Sequence, residues 1–221
     1  SVCVCGNLKF DVTPAPEKIQ LGRTWREALG QRPVWLAAST REGEEELVLA
    51  AWRELAAPEA LLVLVPRHPQ RFAEVADLLA REKISFVRRS EGVPGPETSV
   101  WLGDSMGEMA AYYTLADIAF IGGSLLPLGG QNLIEAAACG CPVVVGPHTF
   151  NFLQATADAI AAGAARRVDD AHGLAAAIGK AFGDKRELGE MRAAAAHFAA
   201  AHRGATARTV VLIRSAITGS R

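Results

Sequence analysis

The candidate chemistry of this chain is concentrated between Ala119 and Pro147. Two pairs of glycines, Gly122-Gly123 and Gly129-Gly130, interrupt this stretch. Asn132 then opens a predicted helix with Glu135 in its first turn. Glycines let bare backbone approach a ligand, and a helix N-terminus offers unpaired N–H groups to an anion. A carboxylate in the first turn can accept hydrogen bonds from the two vicinal hydroxyls of a ribose. An ordinary strand–helix–strand crossover with tight turns explains the stretch equally well.

A second candidate is Arg67, which two prolines hold in the turn Pro66–Pro69. Prolines fix the backbone, and a guanidinium presents a forked pair of donors that matches phosphate. The alternative is a surface arginine that pairs with a carboxylate or with water. The position directly after a buried strand favours the phosphate site.

Two further turns and one histidine complete the set. Ser39 and Thr40 precede an acid-rich helix and predict N-capping, with binding of a phosphate or sugar carboxylate as the alternative. In the turn Asp104–Glu108, free backbone groups could read the edge of a base, or its first two residues could cap a helix. His148 follows Gly146-Pro147 at a strand end and could face the same cleft.

Composition excludes several functional classes. The chain has 221 residues, 23 Lys and Arg against 24 Asp and Glu, and a net charge of −1, so nothing indicates nucleic acid. No apolar run reaches the ~20 residues of a membrane span. Cys3, Cys5, Cys139 and Cys141 form two C-x-C pairs, a spacing unlike that of structural zinc sites, so reduced thiols and no metal are expected. No P-loop, G-x-G-x-x-G, H-E-x-x-H or G-x-S-x-G motif occurs, and no general base identifies itself.

Short apolar strands alternate with helices along the chain. Strands are predicted at Val2–Cys5, Val34–Ala38, Leu61–Val65, Ser85–Arg88, Val100–Leu102, Ile118–Ile121, Pro142–Val145 and Ala165–Val168. Helices are predicted at Trp25–Leu29, Glu44–Leu55, Arg71–Glu82, Glu108–Leu115, Asn132–Ala138, Phe150–Ala162, Ala171–Phe182, Lys185–His202 and Ala205–Ile217. This alternation predicts an α/β fold with a doubly wound parallel sheet. Ligands of such sheets bind at the carboxyl ends of the strands. Four turns that follow strands are therefore predicted to form one site: Ser39–Gly43, Pro66–Pro69, Asp104–Glu108 and Gly129–Glu135.

Six segments resemble a known family in order along the chain. They are GNLKFD (6–11), ASTREGEEE (38–46), LVPRHPQRF (64–72), GDSMGEM (103–109), FIGGSLLPLGGQNLIEAAA (120–138) and GPHTFNF (146–152). Together they resemble the C-terminal half of 3-deoxy-D-manno-octulosonic acid (Kdo) transferases of lipopolysaccharide synthesis. Such enzymes have the GT-B architecture, in which two Rossmann-like domains face a cleft. The resemblance implies that residues 1–24 are an N-terminal strand and interdomain linker and that residues 25–221 are a Rossmann-like nucleotide-sugar domain.

The resemblance also implies the ligand and its contacts. The donor is CMP-Kdo, and its CMP part would be held by Pro66, Arg67, Met106, Gly107, Glu108, Asn132, Leu133, Ile134 and Glu135. Arg67 would contact phosphate, the 106–108 turn the cytosine, and Glu135 the ribose. The donor cleft would include Ser39, Thr40, Arg41, Gly129, Gly130, Gln131 and His148. Arg41 and Gln131 stand where the family commonly has His.

The remaining expectations concern the whole enzyme. The family inverts the anomeric centre, and donor binding requires no cofactor or metal. Its catalytic carboxylate, lipid A acceptor site and membrane-facing surface belong to an N-terminal domain without a counterpart here. We therefore expect this fragment to be soluble, to bind CMP and not to transfer sugar. The parent would work at the cytoplasmic face of the bacterial inner membrane, attached through the missing domain.

Three alternatives remain at this point. The chain could be the donor domain of another GT-B enzyme that uses a UDP- or GDP-sugar. It could be a non-catalytic nucleotide-binding or regulatory domain, or a purely structural α/β module. Selective binding of CMP would favour the Kdo transferase, because the Asp104–Glu108 turn is expected to prefer cytosine.

Overall fold

The computed structural model describes residues 11–218, with side chains through residue 215. The strands are β1 Val34–Thr40, β2 Leu61–Pro66, β3 Phe86–Arg88, β4 Val100–Leu102, β5 Ile118–Ile121, β6 Val143–Val145 and β7 Ala165–Arg167. The helices are α1 Pro16–Leu29, α2 Glu44–Glu54, α3 Phe72–Arg81, α4 Met109–Leu115, α5 Ile134–Ala138, α6 Leu153–Ala161, α7 Ala171–Gly183, α8 Lys185–His202 and α9 Ala205–Thr218. The predicted strand Val2–Cys5 lies outside the described residues.

The strands form one parallel seven-stranded sheet in the order β3-β4-β2-β1-β5-β6-β7. Strand order reverses at β1, which pairs with β2 on one side and β5 on the other. The doubly wound α/β prediction is confirmed. The carboxyl ends of β1 and β5 flank the point of reversal, which is where ligands bind in such sheets.

Helices cover both faces of the sheet. Trp35 and Leu36 are neighbours on β1 and pack into different cores, because successive side chains of a strand point to opposite faces. Leu36 shares its core with side chains of α1, α4, α5 and α8, and Trp35 shares the other core with side chains of α2, α3 and α7. Burial on both faces explains why β1, β2 and β5 are almost continuously apolar in sequence.

The helix predicted at Trp25–Leu29 begins instead at Pro16, so residues 16–24, predicted as linker, are helical. Proline is favoured at the first helical position. A Cβ on Gly22 would stand 2.4 Å from the carbonyl oxygen of Ala111, so the absence of a side chain lets α1 lie close against α4. Glycine lowers helix propensity, which hid this helix in the sequence. The proposed division into domains stays a prediction.

Candidate functional site

The four predicted turns lie at one edge of the sheet. They follow β1, β2, β4 and β5, and because all strands are parallel their carboxyl ends meet at that edge. Backbone hydrogen bonds connect the ends of β1, β2 and β5. The N–H of Arg67 donates to the carbonyl of Thr40 (2.9 Å), and the N–H of Gly122 donates to the carbonyl of Ala38 (2.8 Å).

Glu44 connects the turn after β1 to the glycine-rich loop after β5. Its carboxylate is fully buried and accepts hydrogen bonds from the backbone N–H groups of Gly123, Leu125 (3.1 Å) and Arg41 (3.0 Å). The predicted capping of α2 by Ser39 or Thr40 is wrong. The N-cap is Gly43 in the left-handed conformation, and no side chain caps the helix. Glu44 instead uses its charge to satisfy backbone donors of two loops, which positions both.

A buried ion pair connects the turns after β1 and β2. Arg71 donates to both carboxylate oxygens of Glu45 (2.8 and 2.9 Å), and the Thr40 hydroxyl donates to Glu45 as well (2.7 Å). Burial raises the pKa of Glu45, while the hydrogen bonds from Arg71 and Thr40 lower it. The Thr40 hydroxyl is buried and already donates to Glu45. Thr40, a predicted donor-cleft residue, can therefore offer a ligand only its backbone.

The glycine-rich loop is shaped by close backbone contacts. A Cβ on Gly122 would stand 2.4 Å from the carbonyl oxygen of Ser39, so the two loops meet only because residue 122 has no side chain. Ser39 is itself left-handed, with φ of 57°, which is uncommon outside glycine. Gly129 likewise leaves room for the Asn151 side chain, which donates to the carbonyl of Gly130 (3.4 Å).

The remaining donor-cleft candidates lie around this loop. The N–H of Gln131 donates to the carbonyl of Gly122 (3.0 Å), and the N–H of His148 donates to the carbonyl of Ser124 (3.0 Å). A Cβ on Gly130 would stand 3.4 Å from the carbonyl oxygen of His148. The structure therefore brings Gln131, Gly130 and His148 together.

Asn132 positions Glu135. The Asn132 side-chain oxygen accepts from the N–H of Ile134 (3.0 Å), and its amide nitrogen donates to the Glu135 carboxylate (3.2 Å). This holds the carboxylate at the start of α5. The side chains of Leu133 and Ile134 are buried in the core, so these two predicted nucleotide contacts can offer only backbone groups.

The Asp104–Glu108 turn has its acidic side chains turned toward the protein. Asp104 accepts hydrogen bonds from Ser90, through its N–H (2.8 Å) and its hydroxyl (2.6 Å). Glu108 accepts from the Ser105 hydroxyl (2.6 Å) and from Arg89 (3.2 Å). Met106 and Gly107 are left exposed. The turn therefore presents outward the Met106 side chain and the backbone at Gly107.

Gly107 and Glu135 line the same cavity, of about 300 Å³, with Met109, Ala110 and Cys139 among its walls. Arg67 directly follows β2 and so lies at the same carboxyl edge of the sheet as the glycine-rich loop. Burial raises the pKa of Tyr113, the charge of Glu135 raises it further, and the charge of Arg67 lowers it. Arg67 is exposed and forms no ion pair within residues 11–218.

No cluster of three or more His, Cys, Asp or Glu side chains that could hold a metal occurs in the part of the chain that the structure describes. Cys139 and Cys141 are free thiols, and burial raises the pKa of Cys139 to about 11. Burial raises the pKa of Cys141 as well, so both thiols are protonated near neutral pH. No helix of the described residues is long and apolar enough to cross a membrane.

Sequence reasoning missed the residues that position the site, among them Glu44, Arg71 and Arg89. Acidic side chains in the first turn of a helix usually face solvent, so the sequence did not indicate that Glu44 is buried. Arg71 and Arg89 resemble surface arginines in sequence. A carboxylate shared between loops becomes visible only when the order of the strands is known.

No protein-family model matches the chain. A 3-deoxy-D-manno-octulosonic acid transferase of Bordetella pertussis is 48% identical over 214 residues, which cover 94% of this chain and 50% of that protein. One from Haemophilus influenzae is 50% identical over 156 residues, 67% of this chain and 36% of that protein. The chain therefore spans half or less of the length of these curated relatives.

A solved structure matches the fold as well. The C-terminal CMP-Kdo binding domain of WaaA from Acinetobacter baumannii superposes with a TM-score of 0.75 at 33% identity, covering 82% of this chain and 95% of that domain. The parallel sheet with helices on both faces is thus that of the C-terminal Rossmann-like domain of GT-B glycosyltransferases. Identity and fold agree along nearly the whole length of that domain. This chain belongs to the 3-deoxy-D-manno-octulosonic acid (Kdo) transferase family.

Proposed function

We propose that this chain binds CMP-Kdo and is the donor-binding domain of an inverting glycosyltransferase that transfers Kdo to a lipid A precursor. The observation that carries the proposal is the cavity shared by Gly107 and Glu135. Its volume of about 300 Å³ is at the lower end of the range of small-molecule sites, roughly 300–1,000 Å³. The likeness to a solved CMP-Kdo binding domain supports the choice of ligand.

The nucleoside would occupy this cavity. Asn132 holds one oxygen of the Glu135 carboxylate, and the carboxylate then accepts hydrogen bonds from the two ribose hydroxyls. The backbone at Met106 and Gly107 would read the edge of cytosine. The Glu108 side chain is engaged by Ser105 and Arg89, so its contribution is to hold this turn in place.

The phosphate would lie at Arg67. Its backbone is anchored to β1 through Thr40, and its guanidinium is exposed. A guanidinium can bind two phosphate oxygens at once. When the bond to Kdo breaks, the leaving CMP gains negative charge, which Arg67 would stabilise. The sugar would then face Ser39, Arg41, Gly129 and the group formed by Gly130, Gln131 and His148, with the backbone of Thr40.

The other half of the parent would supply the remaining functions. Half of the Bordetella relative has no counterpart in this chain. We assign to that half the acceptor site for the lipid A precursor, the catalytic carboxylate and the contact with the cytoplasmic face of the inner membrane. On this proposal the chain alone binds CMP and does not transfer Kdo, and donor binding requires no metal or cofactor.

Calorimetric titration with CMP, UMP and GMP tests the proposal. We expect selective binding of CMP, weakened about 10–100-fold by Glu135→Ala or Arg67→Ala, since each variant removes hydrogen bonds to charged groups. Glu59→Ala and Arg81→Ala are matched controls, because both residues are exposed and neither lines the cavity. They should bind as wild type does.

Three results would contradict the proposal. Absence of CMP binding would refute the site. Equal binding of UMP would indicate a different sugar nucleotide. Transfer of Kdo to a lipid A precursor by this chain alone would refute the assignment of the catalytic carboxylate to the other half.

A further inference from the structure

The wall of the nucleoside cavity includes a segment that the sequence predicts as linker. Val12, Pro14, Ala15 and Lys18 line the cavity together with Gly107 and Glu135. The first three are apolar or small and offer no charge. Lys18 is in the first turn of α1 and brings the positive charge of this segment to the cavity.

Among residues 11–218, Lys18 has no charged partner that explains its position. Its side chain is half-buried, and it forms no ion pair within residues 11–218. An ammonium group has three hydrogen-bond donors and no acceptor, so a partly desolvated lysine is stabilised by an oxygen or nitrogen acceptor. A nucleoside offers such acceptors as base carbonyl, ring nitrogen and ribose oxygen atoms.

The residues that line the cavity indicate which part of the nucleotide Lys18 would contact. Gly107 and Glu135, the proposed base and ribose residues, line the cavity, whereas Arg67, the proposed phosphate residue, does not. Lys18 therefore lies beside the residues proposed to bind the nucleoside, and not beside the residue proposed to bind the phosphate.

We propose that Lys18 is a binding residue of the donor site and donates to the nucleoside part of the nucleotide. This rests on the proposed function and adds to it a contact from the segment that precedes the sheet. The site is then built from α1 as well as from the carboxyl edge, and the entry segment becomes part of nucleotide recognition.

Binding of CMP and of cytidine to Lys18→Met tests this contact. We expect both affinities to fall by the same factor, about 5–20-fold, as for loss of one hydrogen bond from a charged group in a partly open site. Arg67→Ala should weaken CMP and leave cytidine unchanged. Lys18→Arg keeps donors in place and should stay within about threefold of wild type. Lys180→Met, which removes an exposed lysine outside the cavity, should not change binding.

Chemical modification supplies a second readout that needs no variant. Saturating CMP should slow acylation of Lys18 by an N-hydroxysuccinimide ester at least fivefold, measured by peptide mass spectrometry, and leave Lys180 unaffected. Unchanged affinity of Lys18→Met would overturn the inference while wild-type binding of CMP upheld the proposed function. If Lys18→Met bound CMP more weakly but cytidine as tightly as wild type does, the inference would also be overturned, because Lys18 would then contact the phosphate. If wild type bound neither compound, the proposed function itself would fail.

Discussion

Replacement of Glu44 by glutamine should destabilise the domain by about 2–4 kcal/mol. One carboxylate oxygen accepts from Gly123 and Arg41, and the other accepts from Leu125. Glutamine can match only one of these positions and turns an NH₂ group toward the other. At least one hydrogen bond to a charged group is then lost, worth about 1.5–3 kcal/mol, and a buried N–H is left facing a second donor.

Urea unfolding followed by tryptophan fluorescence measures this loss. With a slope of about 1–3 kcal/mol per molar urea, the midpoint should fall by roughly 1–2 M. Glu46→Gln is the matched control, since Glu46 is exposed on the same helical turn and should change stability by less than about 0.5 kcal/mol. A Glu44→Gln midpoint equal to that of the control would refute the argument that this carboxylate joins the two loops.

Two further perturbations test the close approach at Gly122 and the hydrogen bonds of Asp11. Gly122→Ala would place a methyl group within 2.4 Å of the Ser39 carbonyl oxygen and should lower the free energy of unfolding by about 1–3 kcal/mol. Gly189→Ala is the control and should not destabilise the protein, because Gly189 has open space around it in α8. Equal urea midpoints for the two variants would contradict this prediction. The hydrogen bonds from Thr206 lower the pKa of Asp11 from 3.8 to about 2. Since the folded pKa is the lower one, this stabilisation is present above pH 4 and is lost as the pH falls toward 2, so the difference in urea midpoint between wild type and Asp11→Asn should shrink over that range. A constant difference would contradict it.

Much of the fold was predictable because buried parallel strands leave a strong local signal. The run Leu61–Val65 contains no polar side chain and forms β2, with Pro66 added at its end. The helix predicted at Lys185–His202 has those bounds in the structure. The start of α1 was not predictable, because Gly22 lowers its helix propensity and only contact with α4 explains a glycine there.

The location of the candidate site was predictable from the sequence, but which of its side chains are free to contact a ligand was not. Arg67, Gly107 and Glu135 follow strands, and the rule for parallel sheets places all of them at one edge. Their assignment to CMP stays a prediction. Which side chains are free for a ligand was not visible, since Thr40 and Glu108 look as accessible in sequence as Arg67 does.

The sequence alone determined the order of the elements, the turns that end the strands and the family to which the chain belongs, because these depend on local composition and on short motifs. Only the tertiary structure decided which polar groups form hydrogen bonds inside the protein and which remain free for a ligand. Glu44 and Gly123 are 79 residues apart and meet because β1 and β5 are neighbours in the sheet. No local pattern encodes that neighbourhood, and the free energy of such a contact depends on burial that is created only when the whole sheet has formed.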